Sequence, residues 1–180
     1  MESDNLVISL NEAFELLGAA SPTARTRGAA RLGELANEST AGGQEVIDAG
    51  ALSSLIGMLS SGKGSDAECA ALALARVSQG GSGLAERVAE EGAVGPLVGL
   101  LSSRKGSEAG TAAHALDLVL QGLPDAHLEV HINPPAIVES LARLAKGGAS
   151  ETSCRASACL HRIASISNEW SEAVTEAKAH

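Results

Sequence analysis

The chain has 180 residues, a formal charge of −9 and no aromatic side chains beyond Phe14 and Trp170. An acidic chain lacks the basic footprint that displaces counterions from phosphates, and without rings it has nothing to stack on bases, so nucleic acid is excluded as a partner. Three cysteines, Cys69, Cys154 and Cys159, read as reduced thiols of a cytosolic or nuclear protein, and no stretch approaches the roughly 18 unbroken apolar residues of a membrane span.

Helical signals follow one another from the start. The acidic opening Met1-Glu2-Ser3-Asp4 leads into an apolar pattern over Leu6–Leu17, and Ser21-Pro22 opens a longer helix, because proline at a first helical position lacks only an N–H that would be unpaired anyway. A short helix is expected over Gln44–Ala49, broken at Gly50. The next, Ala51–Ser60, places Leu52, Leu55, Ile56 and Leu59 on one face. After the turn Ser61-Gly62-Lys63-Gly64, a long helix begins at Ser65, with Glu68 three positions on in the pattern of a capping box, and ends at Gly80-Gly81. The scheme then recurs as Ala85–Glu91, Gly92, Ala93–Ser102, the turn Ser103–Gly106 and Ser107–Gln121. In a fourth copy Asn133-Pro134-Pro135 replaces the glycine break, and Glu169–Lys178 reads as a capping helix or the start of a truncated fifth copy.

Apolar residues recur in register every 42 residues through the first three copies, with two extra residues in the fourth. One column is Leu32, Leu74, Leu116 and Leu160; another is Leu35, Val77, Val119 and Ile163. Leu10, Leu52, Val94 and Val138 form a third, Leu16, Met58, Leu100 and Leu144 a fourth, and Val46, Val88, Val130 and Val174 a fifth. A unit that cannot bury its own apolar face must stack on its neighbours. The expected fold is therefore all-α, one continuous stack over residues 1–180, with copies at about 1–40, 41–82, 83–124 and 125–168, followed by 169–180. Stacked repeats present surface.

The junctions Asp48-Ala49-Gly50-Ala51-Leu52 and Glu90-Glu91-Gly92-Ala93-Val94, with Leu55-Ile56 and Leu97-Val98 beyond them, resemble the hallmark of the armadillo repeat. Ala71, Leu74 and Val77, repeated as Ala113, Leu116 and Val119, resemble its third-helix core. The resemblance implies a right-handed α-solenoid, an armadillo-type superhelix of about four three-helix repeats, whose third helices line a concave groove. Importin-alpha-like members grip extended peptides there with a tryptophan and an asparagine four residues on. The tryptophan slot here holds Ala30, Leu72, His114 and Ala158, and the asparagine slot Glu34, Arg76, Leu118 and Arg162, so that ladder is missing.

One turn before the tryptophan slot stand Arg27, Cys69, Thr111 and Arg155. Across the three slots Arg27, Arg76, Arg155 and Arg162 face only Glu34, and arginine forks match carboxylates. The expected binding face is thus Arg27, Glu34, Leu72, Arg76, His114, Leu118, Arg155 and Arg162, and the expected partner is another protein or peptide, acidic or extended in character. The competing expectation is a permanent structural subunit of a larger assembly, which low aromatic content favours, since transient binding faces usually carry aromatic hot spots.

Other motifs carry less. Gly57 to Lys63 resembles the start of a phosphate loop but is followed by Gly64 rather than Ser or Thr and lies in a helix pattern. His127 and His131 share a helical face but lack the glutamate of zinc peptidases directly after the first histidine. Cys154, Cys159 and His161 match no zinc spacing. No catalytic residue, cofactor or metal is expected.

Overall fold

The computed structural model describes residues 2–39, 41–61, 64–81, 83–102, 106–125, 128, 134–147, 150–166 and 168–179. Among the described residues there are eleven helices and no strand. The first copy supplies α1 (Glu2–Leu17) and α2 (Pro22–Glu38); the second, α3 (Gly42–Asp48), α4 (Ala51–Ser61) and α5 (Ser65–Gln79). The third supplies α6 (Leu84–Glu90), α7 (Val94–Leu101) and α8 (Gly106–Gly122); α9 (Pro134–Ala145), α10 (Glu151–Ala164) and α11 (Asn168–Ala179) complete the series. Most of the expected first helix of the fourth copy, with Val130, His127 and His131, lies outside the described residues, as do Lys63 and Lys105.

The long helices pack in sequence, α2 on α5, α5 on α8 and α8 on α10, while α4, α7 and α9 form a second layer behind them. The apolar columns point into the seam between these layers. Leu32, Leu74, Leu116 and Leu160 are each 0% exposed. Leu35, Val77, Val119 and Ile163 are buried, and so are Leu10, Leu52, Val94 and Val138. The fourth column is looser: Met58 is buried but Leu16, Leu100 and Leu144 are half-buried. Each fully buried leucine contributes roughly 1.5–3 kcal/mol by transfer from water. Between the leucines the long helices carry alanine (Ala70, Ala71 and Ala73 on α5; Ala112, Ala113 and Ala115 on α8), all buried, which lets neighbouring helix axes come close.

Two glycines set the corner between short and second helices. Gly50 (φ 79°) and Gly92 (φ 88°) take the left-handed conformation, and their amides donate to Ile47 O at 2.8 Å and Ala89 O at 2.9 Å. A residue with a Cβ resists that geometry, so the break expected at both positions has a direct cause.

The capping box does not form. Gly64 is the N-cap of α5, Ser65 is already helical and makes no cap bond, and Glu68 turns to the next repeat, where Thr111 Oγ1 donates to its Oε1 at 3.4 Å. Pro22 does occupy the first turn of α2. A true side-chain cap appears instead at Ser150, whose Oγ accepts from the Ser153 amide at 3.2 Å.

Polar staples join adjacent copies. Arg25 on α2 donates through Nη2 (2.7 Å) and Nε (3.2 Å) to Oδ2 of the buried Asp66 on α5, and through Nη1 to Ala20 O at 2.9 Å. Arg143 on α9 reaches back to Leu101 O, the end of α7, at 3.1 Å.

Candidate partner-binding groove

Burial of α2, α5, α8 and α10 on their inner and lateral sides leaves one stripe of each open. The three slots read from the sequence fall on it: Arg27, Ala30 and Glu34 are exposed on α2, Leu72 on α5 and Ala158 on α10, and the remainder are half-buried. Leu72, 36% accessible, is the one exposed large hydrophobic among the described residues. The 42-residue register that buries one face of each long helix turns the opposite face outward, which is why these side chains share a stripe.

The charges are arranged differently from the expectation of a set of open arginines. Arg162 donates from Nε to Leu120 O (3.3 Å), from Nη2 to Leu123 O (2.8 Å) and from Nη1 to Asp125 Oδ1 (2.7 Å). It thereby satisfies carbonyls at the C-terminal end of α8 that have no partner within their own helix, and places its positive charge at the negative end of the dipole. Arg155 pairs with Glu151 and with His114. Arg76 lies across Gly33 and borders a depression of about 320 Å³ with Glu34, Asn37 and Glu38. Arg31, which lies outside the three slots, bridges Glu34 at 3.2 Å and Glu38 at 2.9 Å. Arg27 and Arg76 have no ion pair among the described residues. Leu118 leans on the core and is no free anchor.

A cleft of about 290 Å³ opens where the first turns of α5, α8 and α10 converge, lined by Glu68, Leu72, Thr111, His114, Glu151 and Arg155 among others. Within it α10 comes close to α8: a Cβ at Gly110 would stand 2.8 Å from Thr152 Oγ1. That approach brings Arg155 Nη1 against His114 Nδ1. A guanidinium only donates, so Nδ1 accepts, and the imidazole is the neutral tautomer with its proton on Nε2. Arg155 Nε (3.2 Å) and Nη2 (2.7 Å) both donate to Oε1 of Glu151.

Burial, then the Arg155 charge, lowers the pKa of His114 below its ordinary 6.5; the hydrogen bond from Arg155 likewise holds Glu151 below its ordinary 4.5. Between the folded and unfolded pKa values of His114 the unfolded chain binds more protons, so stability rises with pH there. The stabilisation from neutral His114 is therefore complete above about pH 7 and declines as pH falls through the ordinary histidine range. Urea midpoints measured from pH 7.5 to 5 should fall for the wild type and stay flatter for His114→Gln; parallel curves would remove His114 as the cause.

The cysteines take no part in this face as a metal site. Cys159 is buried, donating to Ala113 O at 3.7 Å, and burial pushes its pKa well up; Cys69 is half-buried and raised for the same reason; Cys154 is exposed. No three His, Cys, Asp or Glu side chains among the described residues converge as metal ligands, and none of the described helices is long and apolar enough to cross a membrane.

No protein-family model matches the sequence, and none of the curated proteins matches it. Solved structures do. The chain is similar to an engineered protein known from a crystal structure, with TM-score 0.84 and 30% identity over 94% of this chain and 69% of that one. It is also similar to computationally designed armadillo repeat proteins for modular peptide recognition (TM-score 0.82, 25% identity, 94% and 71% covered). A further match is a designed armadillo repeat protein in complex with the peptide (KR)4 (TM-score 0.81, 25% identity, 94% and 70% covered). The stacked long helices, the paired glycine corners and these neighbours together show that the chain is an armadillo-like repeat scaffold.

Proposed function

We propose that this protein is a non-enzymatic scaffold that takes an extended segment of a partner protein along the open face of its long helices. The observation that carries the reading is the position of Leu72. Leu72, the one exposed large hydrophobic among the described residues, lines the cleft together with Thr111, His114 and Arg155, so an apolar group lying there would be covered beside polar partners. The peptide (KR)4 in complex with the designed neighbour supports the use of this scaffold for peptide binding. The chemistry of the peptide does not transfer with the scaffold, because side chains in the three slots decide it.

Peptides selected from a random display library on the immobilised protein provide the test. Enriched sequences should lose at least about tenfold in affinity, roughly 1.4 kcal/mol, on Leu72→Asp. They should be indifferent to Ser54→Asp, an exposed change on α4 in the second layer. Binding that ignores Leu72, or that falls equally with both changes, would overturn the reading.

A further inference from the structure

Arg155 differs from every other arginine on this face in how its donors are used. Nη1 donates to His114 Nδ1 on the neighbouring helix α8, which leaves the other edge of the guanidinium for a second partner. The side-on edge, Nε–H and Nη2–H, is the edge that matches a carboxylate in two parallel hydrogen bonds. Here both donors converge on a single oxygen, Oε1 of Glu151. Both side chains line the cleft, but that of Glu151 is 80% exposed and that of Arg155 27%, so the anion is the solvent-open partner of a largely covered cation. An exposed pair four apart on a helix is worth a factor of about two, up to about fivefold. Arg162, by contrast, has its donors distributed over two carbonyls and Asp125.

We propose that the Nε/Nη2 edge of Arg155 is a carboxylate receptor for the partner segment, and that Glu151 is an internal stand-in which the partner's carboxylate displaces. The inference rests on the groove reading above and names the chemistry of its ligand. Leu72 lines the same cleft, so the ligand carries an apolar side chain near its carboxylate. Glu68, engaged by Thr111 on the α5 side, opposes a run of acids. The fitting ligand is therefore an isolated acidic residue in an apolar stretch, not an acidic tract. His114 acts as a positioning residue: while neutral it holds Arg155, and once protonated it has no acceptor to offer. The charged groups around it are Asp117 on its own helix, Glu68 on α5, and Glu151 and Arg155 on α10.

The test is an NMR titration with two blocked octapeptides, one with a single glutamate among leucines and one with glutamine in its place. The wild type should bind the glutamate peptide about three- to tenfold more tightly. Glu151→Gln should widen that preference, Arg155→Gln should abolish it, and Arg155→Lys should leave a reduced part, since lysine keeps the charge without the fork. The Arg155 Nε–H resonance should move with the glutamate peptide only. Equal affinity of the two peptides for Glu151→Gln, or no movement of that resonance with either peptide, overturns the carboxylate assignment. If binding without carboxylate preference still depends on Leu72, only this assignment falls; if it is also indifferent to Leu72, the groove reading falls with it.

Discussion

Leu116→Ala is expected to lower the free energy of unfolding by about 4 kcal/mol, near the upper part of the range for buried leucine truncations. Leu116 is fully buried on α8, which packs against α5, α7 and α10. What raises the cost is the company it keeps. Ala112, Ala113 and Ala115 are its helical neighbours, and Ala70, Ala71 and Ala73 line the adjoining α5. Alanine has no rotamer with which to swing into a void, so the cavity persists instead of collapsing. Urea denaturation at pH 7 measures the change, with the half-buried Leu118→Ala as reference at about 1 kcal/mol. Comparable losses at the two positions would mean that the leucine column is not the seam of the stack.

The second large effect is expected at Arg162. Its removal as Arg162→Ala leaves the carbonyls of Leu120 and Leu123 without their charged donor and frees Asp125, at a cost of about 2 kcal/mol. Arg162→Lys should recover less than half, because one ammonium cannot meet three separated acceptors. Arg76→Ala, at the matching slot one pair of repeats earlier, should change stability by less than about 0.5 kcal/mol, since Arg76 makes no ion pair among the described residues. Hydrogen exchange locates the loss: amides in the last turn of α8 should gain exchange rate in Arg162→Ala. Equal effects at Arg76 and Arg162 would contradict the assignment of a capping role to one of them alone.

These two sites mark what could be read from letters and what could not. Leu116 was legible because burial demands apolar residues and the repeat demands them at a fixed interval, so each copy corroborates the others. The outward-facing slots were legible by the same register. The state of the arginines was not. Arg162 is satisfied mainly by backbone carbonyls, which every residue carries and no sequence announces, and by Asp125, 37 positions away along the chain. The pairing of Glu68 with Thr111 was hidden for a related reason. Ser65 and Glu68 have the spacing of a local cap, but Gly64, with φ 69°, starts the helix one residue earlier than that motif requires. Glu68 is then left to find a donor across the repeat boundary. Nor could the close approach of α8 and α10 at the cleft be foreseen, because the contact between Gly110 and Thr152 exists only in the folded chain.

The backward reach of Arg143 to Leu101 and of Arg162 to Leu120 and Leu123 places a good part of the cohesion at the joints and not inside the units. In a one-dimensional array, strong joints between weak units make melting spread from one member to the next, in place of independent fraying. Grafting an extra copy that carries both arginines should therefore sharpen the thermal transition as well as raise it, while a copy lacking them should broaden it.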